Sequence, residues 1–401
     1  MKPIADALDQ ILNSVRPLQE TETLPLQKAL GRILAQPQIS SLNVPPADNS
    51  AMDGYALHTD SLSATTRCLP VSQRVPAGHT PEPLQPGTAA RIFTGAEVPA
   101  GANSVIMQEQ CQIEERDGTN WITFPDEVKV NNNIRAKGQD IAAGAQVLPA
   151  GHRLQAQDLG LLASIGIGEI EVIRPLRVAV ISTGDELAEP GEPAGPGQIY
   201  NSNRYQLAGL LQKLGAEMID LGRVQDTFEA TQLALKNAAE QADCVLTTGG
   251  VSVGEEDHVK PAVESLGQLN LWKLALKPGK PLAFGQIGDT PFFGLPGNPV
   301  SVFVTFLLFV RPYLYAQQGS PCHEPHPVQL PANFNRNKKS IRQEYVRVRV
   351  HPNGTMESHS NQSSGVLSST SWANALAIVK PDTLVKEGDL VPVITYASLF
   401  L

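Results

Sequence analysis

Short runs of glycine, hydroxyl and acidic residues make several loops of this sequence candidates for phosphate or metal binding. Residues 247–254 read TTGGVSVG, and the acidic run EED follows at 255–257. Glycines let backbone N–H groups approach an oxyanion closely, and hydroxyl groups can add hydrogen bonds. Residues 182–187, STGDEL, and 200–204, YNSNR, carry carboxylates, amides and hydroxyls. Taken alone, each of these two shorter runs equally fits an ordinary turn before a helix.

Positive charge that could face a phosphate is concentrated in one short segment. Lys273, Lys277 and Lys280 lie close together in a chain whose formal net charge is −9, with 31 basic and 40 acidic residues. Lysines supply point charges where backbone amides supply shape. Residues 295–299, LPGNP, precede an apolar stretch, and Pro299 suits the first turn of a helix. We expect that helix to offer free N–H groups to a second oxyanion.

Carboxylates accumulate beside these loops. Asp185, Glu186 and Asp226 join the acidic run 255–257. Magnesium is typically held by one or two carboxylates together with phosphate oxygens of the substrate. The residues alone therefore predict an α/β enzyme that acts with Mg²⁺ on a phosphorylated or nucleotide-like ligand.

The glycine run also matches a hydrolase motif. Gly250, Ser252 and Gly254 fit the G-x-S-x-G pattern of a nucleophile elbow. The acidic residues that follow would disfavour a developing oxyanion, which weakens this alternative. The run is not a P-loop, because no Gly-Lys-Ser/Thr follows the glycines.

Composition restricts the class of protein. A length of 401 residues predicts two to three domains, and 33 Gly with 32 Pro indicate many turns. The acidic balance argues against binding to nucleic acid or to an anionic membrane. The longest apolar stretch, 300–310, is too short to cross a bilayer, and residues 1–10 lack a secretory h-region. The separated cysteines are typical of reduced thiols, so we expect a cytoplasmic protein.

Alternating patterns predict the element that positions the loops. An open, mostly parallel sheet with helices on both faces is expected from Pro175 onwards, and its ligands would lie beyond the carboxyl ends of the strands. The predicted strands are 178–181, 218–224, 244–248, 271–276 and 292–295, and the predicted helices are 205–214, 228–241, 259–266 and 300–315. Ser202 or Asn203 is the expected cap of the first of these helices.

The remaining parts of the chain show different patterns. Helical spacing at 4–15 and 154–164 flanks short β-like runs at 44–140, so the two helices could pack together around an insertion. Residues 319–326 are typical of a linker, and a small all-β domain follows. The predicted domains are a split N-terminal domain (1–43 and 141–174), an inserted β-rich domain (44–140), an α/β domain (175–322) and a C-terminal domain (323–401).

Six motifs in order along the chain resemble the MoeA family of molybdopterin molybdenumtransferases, which is related to the gephyrin E domain. They are DNSAMDGY at 48–55, RIFTG at 91–95, STGDEL at 182–187, TTGGVSVGEED at 247–257, KPGKP at 277–281 and LPGNP at 295–299. The resemblance covers nearly the whole chain.

The resemblance implies a fold and an activity. The fold is a four-part subunit with a split helical and strand-containing N-terminal domain, an inserted β-rich domain, a parallel-sheet α/β molybdopterin-binding domain and a C-terminal β-barrel. The family inserts molybdenum from molybdate into adenylylated molybdopterin, cleaves the pyrophosphate link and releases AMP with Mg²⁺. It forms homodimers whose active site is shared between subunits, and the molybdopterin-adenylylating enzyme is the expected supplier.

The resemblance also implies roles for individual residues. The implied catalytic residues are Asp53, Thr94, Asp140, Glu186, Asp226, Asp257, Lys273 and Lys277, of which Glu186, Asp226 and Asp257 are the metal candidates. The implied substrate-binding residues are Thr183, Gly184, Asp185, Asn201, Asn203, Thr248, Gly249, Gly250, Ser252, Gly254, Lys280, Pro296, Gly297, Asn298, Pro299 and Ser301. Two positions depart from the family pattern: Gln139 stands where Glu is common, and His258 stands where Tyr is common.

A non-catalytic molybdopterin-binding or scaffold protein of the same fold is the second interpretation, because relatives of the family have been adopted as anchoring proteins in animal synapses. Retention of the full set of charged site residues favours the enzyme. A pure scaffold would not need them.

Overall fold

A six-stranded mixed sheet forms the centre of the α/β part of the computed structural model, which describes residues 1–250, 258–321 and 327–400. Its strands in sheet order are Glu217–Val224, Arg177–Thr183, Cys244–Thr248, Thr290–Leu295, Pro281–Ile287 and Gly267–Lys273. The first four run parallel, as the alternating pattern predicts, and the last two pair antiparallel.

The antiparallel part of this sheet corrects the predicted strand 271–276. That strand runs from Gly267 to Lys273, while Leu276–Lys277 is a separate strand that pairs with Gln343–Val350. The strand Pro281–Ile287 was not predicted, because its first proline and its internal Gly285 weaken the usual strand pattern. Gly285 is required there, since a Cβ atom would collide with the carbonyl group of Gln268 on the neighbouring strand.

Helices cover both faces of the sheet. They are Ser202–Leu214, Phe228–Gln241, Val259–Leu266 and a continuous run made of Pro299–Thr305, a π-helical Phe306–Val310 and Arg311–Gln317. A separate hydrophobic core lies on each face of the sheet. In strand Arg177–Thr183, Val178 and Val180 pack into one core, and Ala179 and Ile181 pack into the other. The run Pro299–Gln317 has the length and apolar composition of a membrane span, but 78% of its apolar window is buried inside the protein.

The N-terminal segment and the segment after the insertion meet through strands. Thr21–Pro25 and Ile33–Leu34 both pair with Glu169–Ile173. The first helix, Ile4–Leu12, instead packs into the α/β core through Ala7 and Ile11. The second helix, Ala156–Ser164, belongs to a separate core cluster. The interpretation that these two helices pack together is therefore wrong.

Residues 44–140 contain a second six-stranded sheet. Its strands in sheet order are Ser104–Met107, Gly54–Leu57, Ala89–Ile92, Cys68–Val75, Thr119–Thr123 and Gln112–Arg116. Two short pairs lie near its connections to the rest of the chain: Asn49–Ser50 with Ile134–Arg135, and Gln38–Ile39 with Gln146–Leu148. Short 3₁₀ turns are Leu26–Lys28, Thr59–Ser61, Gln108–Gln110 and Ala397–Leu399.

A third sheet is formed by the C-terminal residues. Its order is Leu276–Lys277, Gln343–Val350, Ala375–Val379, Leu390–Thr395 and Val328–Pro331, and Met356–Ser358 pairs with Gln343–Val350. A short helix, Ser368–Trp372, follows one of its loops. Because the first of these strands belongs to the α/β part in sequence, the two parts are hydrogen-bonded to each other. Most of the predicted linker 319–326 lies outside the described residues.

Candidate active site

A cleft of about 930 Å³ lies at the carboxyl edge of the parallel strands. Neighbouring parallel strands end at the same edge of a sheet, so the loops that follow them come together there. The predicted site residues that line the cleft are Thr183, Glu186, Asn201, Asn203, Thr248, Gly249, Lys277, Lys280, Pro296, Gly297, Asn298, Pro299 and Ser301.

Other predicted site residues do not line this cleft. Gly184, Asp185, Gly250, Lys273 and Asp226 are near the same edge of the sheet but are not part of its wall. Asp53, Thr94 and Asp140 belong to the β-rich part 44–140 and do not line the cleft of their own chain either. Ser252, Gly254 and Asp257 lie outside the described residues, so the serine-nucleophile alternative is not tested by the structure.

Gly184 makes room for the carboxylate of Glu186. Its φ is +134°, and a Cβ atom there would lie 2.8 Å from Cδ of Glu186. The backbone of Glu186 is fixed as well, because its carbonyl oxygen accepts a hydrogen bond of 2.7 Å from the Ile199 N–H. Strand Leu187–Ala188 then pairs with Ile199–Tyr200. These contacts hold the Glu186 side chain at the cleft wall.

The helix beside this loop begins at Ser202, three residues before the predicted start at 205. Asn201, which is only 1% exposed, is its N-cap and accepts a hydrogen bond from the Arg204 N–H, so the predicted cap at Ser202 or Asn203 is wrong. Asn203 points elsewhere, and its side-chain N–H donates to the carbonyl oxygen of Gly297 at 2.7 Å. This bond ties the helix start to the Pro-Gly-Asn-Pro loop.

The start of the next helix is only partly as predicted. Pro299 is the first residue of the helix, as expected. However, the Val300 N–H donates to the carbonyl oxygen of Ser364 at 3.1 Å, so this N–H group is already used by the C-terminal part of the chain. The Val300 N–H is therefore not among the groups that could receive an oxyanion, and binding of an oxyanion at this helix start stays a prediction.

Lys277 has a carboxylate partner within the protein. Its Nζ donates to Oε1 of Glu344 at 2.8 Å, and the Lys277 side chain is 44% exposed whereas that of Glu344 is 11% exposed. The sequence-based hypothesis treated Lys277 as a phosphate ligand and did not foresee this ion pair. Because nearly half of the side chain is exposed to the cleft, the ammonium group can still contribute positive charge there.

Sequence reasoning missed one entire wall of the cleft. The residues that the C-terminal part contributes are Arg342, Gln362, Ser363, Ser364, Gly365 and Leu367. None belongs to the glycine- or lysine-rich runs that indicated a phosphate site. In the sequence, these residues are recognisable only as one arginine and a polar loop beside predicted strands, a pattern that does not indicate a binding site.

Arg347 holds this wall in place although it does not line the cleft. It is 1% exposed, and its guanidinium donates to Oγ of Ser369 at 3.1 Å and to the carbonyl oxygen of Ser363 at 3.0 Å. Its backbone N–H donates to Oε1 of Gln362 at 2.9 Å. Burial lowers the pKa of Arg347 to about 10.

The β-rich part brings Asp53 and Thr94 together. Both the backbone N–H and the hydroxyl of Thr94 donate to Oδ1 of Asp53, each at 2.7 Å. These hydrogen bonds lower the pKa of Asp53, since they stabilise its ionised form. Asp140 is exposed, and its N–H donates to the carbonyl oxygen of Val44 at 2.9 Å.

Donors for a divalent cation are sparse in the described part of the chain. No group of three His, Cys, Asp or Glu side chains clusters among the described residues. Glu186 is the predicted metal-binding acid that lines the cleft. One carboxylate with phosphate oxygens and water is a set that Mg²⁺ accepts, so the cleft fits this ion only together with a phosphorylated substrate.

Comparisons with known proteins identify the family to which the chain belongs. Three family models match the chain: "MoeA N-terminal region (domain I and II)" at residues 2–166, "Probable molybdopterin binding domain" at 179–316, and "MoeA C-terminal region (domain IV)" at 329–396. A "Molybdopterin molybdenumtransferase" from Nostoc sp. is 38% identical over 406 residues, which cover 97% of this chain and 92% of the relative. The chain belongs to the MoeA family.

Further members of the MoeA family support the same conclusion. A "Molybdopterin molybdenumtransferase" from Haemophilus influenzae is 48% identical over 301 residues, covering 75% of this chain and 74% of the relative. The crystal structure of a molybdopterin biosynthesis MoeA protein from Pyrococcus horikoshii covers 99% of this chain and 100% of its own, with 30% identity and a TM-score of 0.84. The family recognised from the six motifs and its multidomain fold with mixed sheets are therefore confirmed.

Proposed function

We propose that the cleft inserts molybdenum from molybdate into adenylylated molybdopterin in molybdenum cofactor biosynthesis, with cleavage of the pyrophosphate link and release of AMP. The observation that carries this proposal is the convergence of the glycine loop, the lysine segment and the Pro-Gly-Asn-Pro loop on one cleft. Family membership supports the same transferase activity.

The residues of the cleft suit a reaction in which negative charge moves between phosphate oxygens. The loop that begins at Thr248 and Gly249 lines the cleft and would lie against the pyrophosphate, and Lys277 and Lys280 would stabilise the charge that develops as the link breaks. Ser301, at the start of a helix, would offer its hydroxyl to an oxyanion. No nucleophilic side chain is needed for this role of the protein.

Magnesium belongs to this proposal because Glu186 is placed to share it with the substrate's phosphate oxygens. When bound, Mg²⁺ supplies positive charge to the pyrophosphate. Asp226 and Asp257 remain predicted ligands of the magnesium ion. Glu186 itself is kept in position by the loop that Gly184 permits, so it would orient the ion without a rearrangement of the backbone.

A homodimer with a shared site accounts for the placement of Asp53, Thr94 and Asp140. These residues are implied to be catalytic, yet they do not line the cleft of their own chain. The hydrogen bonds from Thr94 keep Asp53 ionised, as a residue facing a cationic or metal-bearing site would need to be. We therefore propose that the β-rich part of a second copy completes the cleft.

Several further predictions belong to the same proposal. The domain boundaries at 43/44, 140/141, 174/175 and 322/323 and the closure of the C-terminal sheet into a barrel stay predictions. A cytoplasmic location is proposed because the separated cysteines are typical of reduced thiols, and delivery of the substrate by a molybdopterin-adenylylating enzyme is proposed from the family resemblance.

The test is AMP release by the purified full-length protein. With adenylylated molybdopterin, Mg²⁺ and molybdate, we expect AMP to appear together with molybdenum bound to the pterin product. Omission of molybdate is the matched control and should strongly reduce release. Equal release with and without molybdate would overturn the proposed function, as would binding of the pterin with no turnover, which is the behaviour expected of a scaffold.

A further inference from the structure

A second cavity, of about 760 Å³, adjoins the cleft and is lined mainly by cations. The two cavities share three lining residues: Lys277, Lys280 and Arg342. The other basic residues of the second cavity come from the loop before strand Gln343–Val350 and are Arg336, Lys338 and Lys339. We call this cavity the basic pocket.

The basic pocket carries an excess of positive charge in an acidic protein. Its described lining contains six Lys and Arg residues and one acid, Glu344, whereas the whole chain has a net charge of −9. Glu344 lies 2.8 Å from Nζ of Lys277 and 3.9 Å from Nε of Arg336, so one carboxylate is shared between two cations. Among the described residues, neither Lys338 nor Lys339 forms an ion pair, and both are exposed.

We propose that the basic pocket is the entrance by which the molybdate dianion reaches the cleft. The inference rests on the proposed function and adds a route for one of its substrates. Lys338 and Lys339 are exposed residues of the pocket lining, and by attraction through the solvent they raise the local concentration of a small dianion and therefore its apparent affinity for the adjoining cleft. Such attraction extends over about 10 Å at 0.1 M salt and is shorter at higher salt.

The choice of molybdate over the pterin substrate follows from size and from the other contacts that each ligand makes, because the pyrophosphate of the pterin substrate is anionic as well. A compact dianion makes few contacts and diffuses freely, so exposed lysines affect its local concentration most. The pterin substrate has its own contacts in the cleft, where backbone amides and loops are present. We therefore expect the entrance to change the KM for molybdate and not the KM for adenylylated molybdopterin.

The double variant K338Q/K339Q tests the entrance in the full-length protein. At low salt we expect the KM for molybdate to rise roughly three- to tenfold with kcat unchanged, because local enrichment of the anion is lost while the cleft is intact. At about 0.5 M salt the KM for molybdate of the variant and that of the wild type should become equal, since salt screens the electrostatic attraction in both proteins. Equilibrium dialysis with molybdate alone should show the same salt-dependent loss of binding.

The matched control is K236Q/K260Q, which removes two exposed lysines from helices Phe228–Gln241 and Val259–Leu266 and gives the same net charge. An equal effect in this control would overturn the proposal, because net charge and not the pocket would then be responsible. A fall in kcat, or a rise in the KM for the pterin alone, would also overturn it. Wild-type protein without molybdate-dependent AMP release contradicts the proposed function, whereas normal turnover in an unaffected K338Q/K339Q contradicts only the entrance.

Discussion

Glu186 and Lys277 show how single residues of the cleft are constrained by their neighbours. The Glu186 carboxylate occupies the space that a side chain at position 184 would fill, and the Lys277 ammonium group is hydrogen-bonded to Glu344 on the neighbouring strand of the C-terminal sheet. Both side chains are thus oriented before any ligand binds. Groups that are oriented in advance lose less freedom when the substrate binds, which favours catalysis.

Replacement G184A should displace the Glu186 carboxylate. The new methyl group would overlap that carboxylate. We expect the rate of AMP release to fall about tenfold or more, because displacing a positioning group by about 1 Å can lower a reaction rate by up to about 10²-fold. The matched control is G191A, because Gly191 also has a positive φ, +100°, but has no atom within 4 Å of a Cβ position. Both variants should lose similar stability in thermal unfolding. Equal activity of the two would show that the position of Glu186 does not matter.

At the scale of elements, one loop of the cleft wall is fixed by hydrogen bonds to residues outside the loop. Residues 362–365 line the cleft, and the Ser364 carbonyl accepts a hydrogen bond from the start of the helix Pro299–Thr305. Arg347 binds the same loop through Ser363 and Gln362. The wall is therefore part of a hydrogen-bonded unit that joins a strand, a loop and a helix start.

Replacement R347M should loosen this wall. Because the Ser363 carbonyl and the Ser369 hydroxyl would lose their buried donor, we expect a loss of about 1–3 kcal/mol in the free energy of unfolding and a higher KM for molybdate. The control is R349M on the same strand, since Arg349 donates to the carbonyl oxygen of Trp372, which does not line the cleft. R349M should keep a normal KM. Unchanged KM in R347M, despite reduced stability, would contradict a positioning role.

At the scale of the whole molecule, Arg153 connects three parts of the chain. Its guanidinium donates to the carbonyl oxygens of Gly31 at 3.2 Å, Lys213 at 3.0 Å and Phe400 at 3.4 Å, and also to the hydroxyl of Tyr315. These acceptors lie in the N-terminal part, the α/β part and the C-terminal end. One arginine thus links segments that are far apart in sequence.

Replacement R153A should make unfolding less cooperative. The carbonyl groups would lose a shared donor, so we expect calorimetry to show one broader unfolding transition or two separate transitions. The first transition should shift down by a few degrees, which is the usual effect of losing about 1–2 kcal/mol in the free energy of unfolding. The control is R32A, because Arg32 contacts Glu22 and Ile173 within one three-stranded sheet. A single sharp transition at the wild-type temperature in R153A would contradict this role.

Strong local patterns were sufficient to predict much of the α/β part. The strand at Cys244–Thr248 has the predicted bounds, and the helix beginning at Pro299 starts where its proline indicates. The strand Pro281–Ile287 was not predicted from its own residues. It forms because the neighbouring strand approaches its backbone closely at Gly285. The cap of the helix Ser202–Leu214 was placed one or two residues late, since Ser202, Asn203 and Asn201 are all good caps by type.

The sequence by itself determined the family, the four parallel strands and the helices of the α/β part and most of the loops that line the cleft. It could do so because glycine, proline and hydroxyl residues act locally at strand ends, and parallel strands bring those ends to one edge. Only the tertiary structure decided which C-terminal residues close the cleft, that Lys277 binds Glu344, and that the basic pocket adjoins the cleft. Those contacts join segments distant in sequence, and no local pattern specifies the partner of a side chain across such a distance.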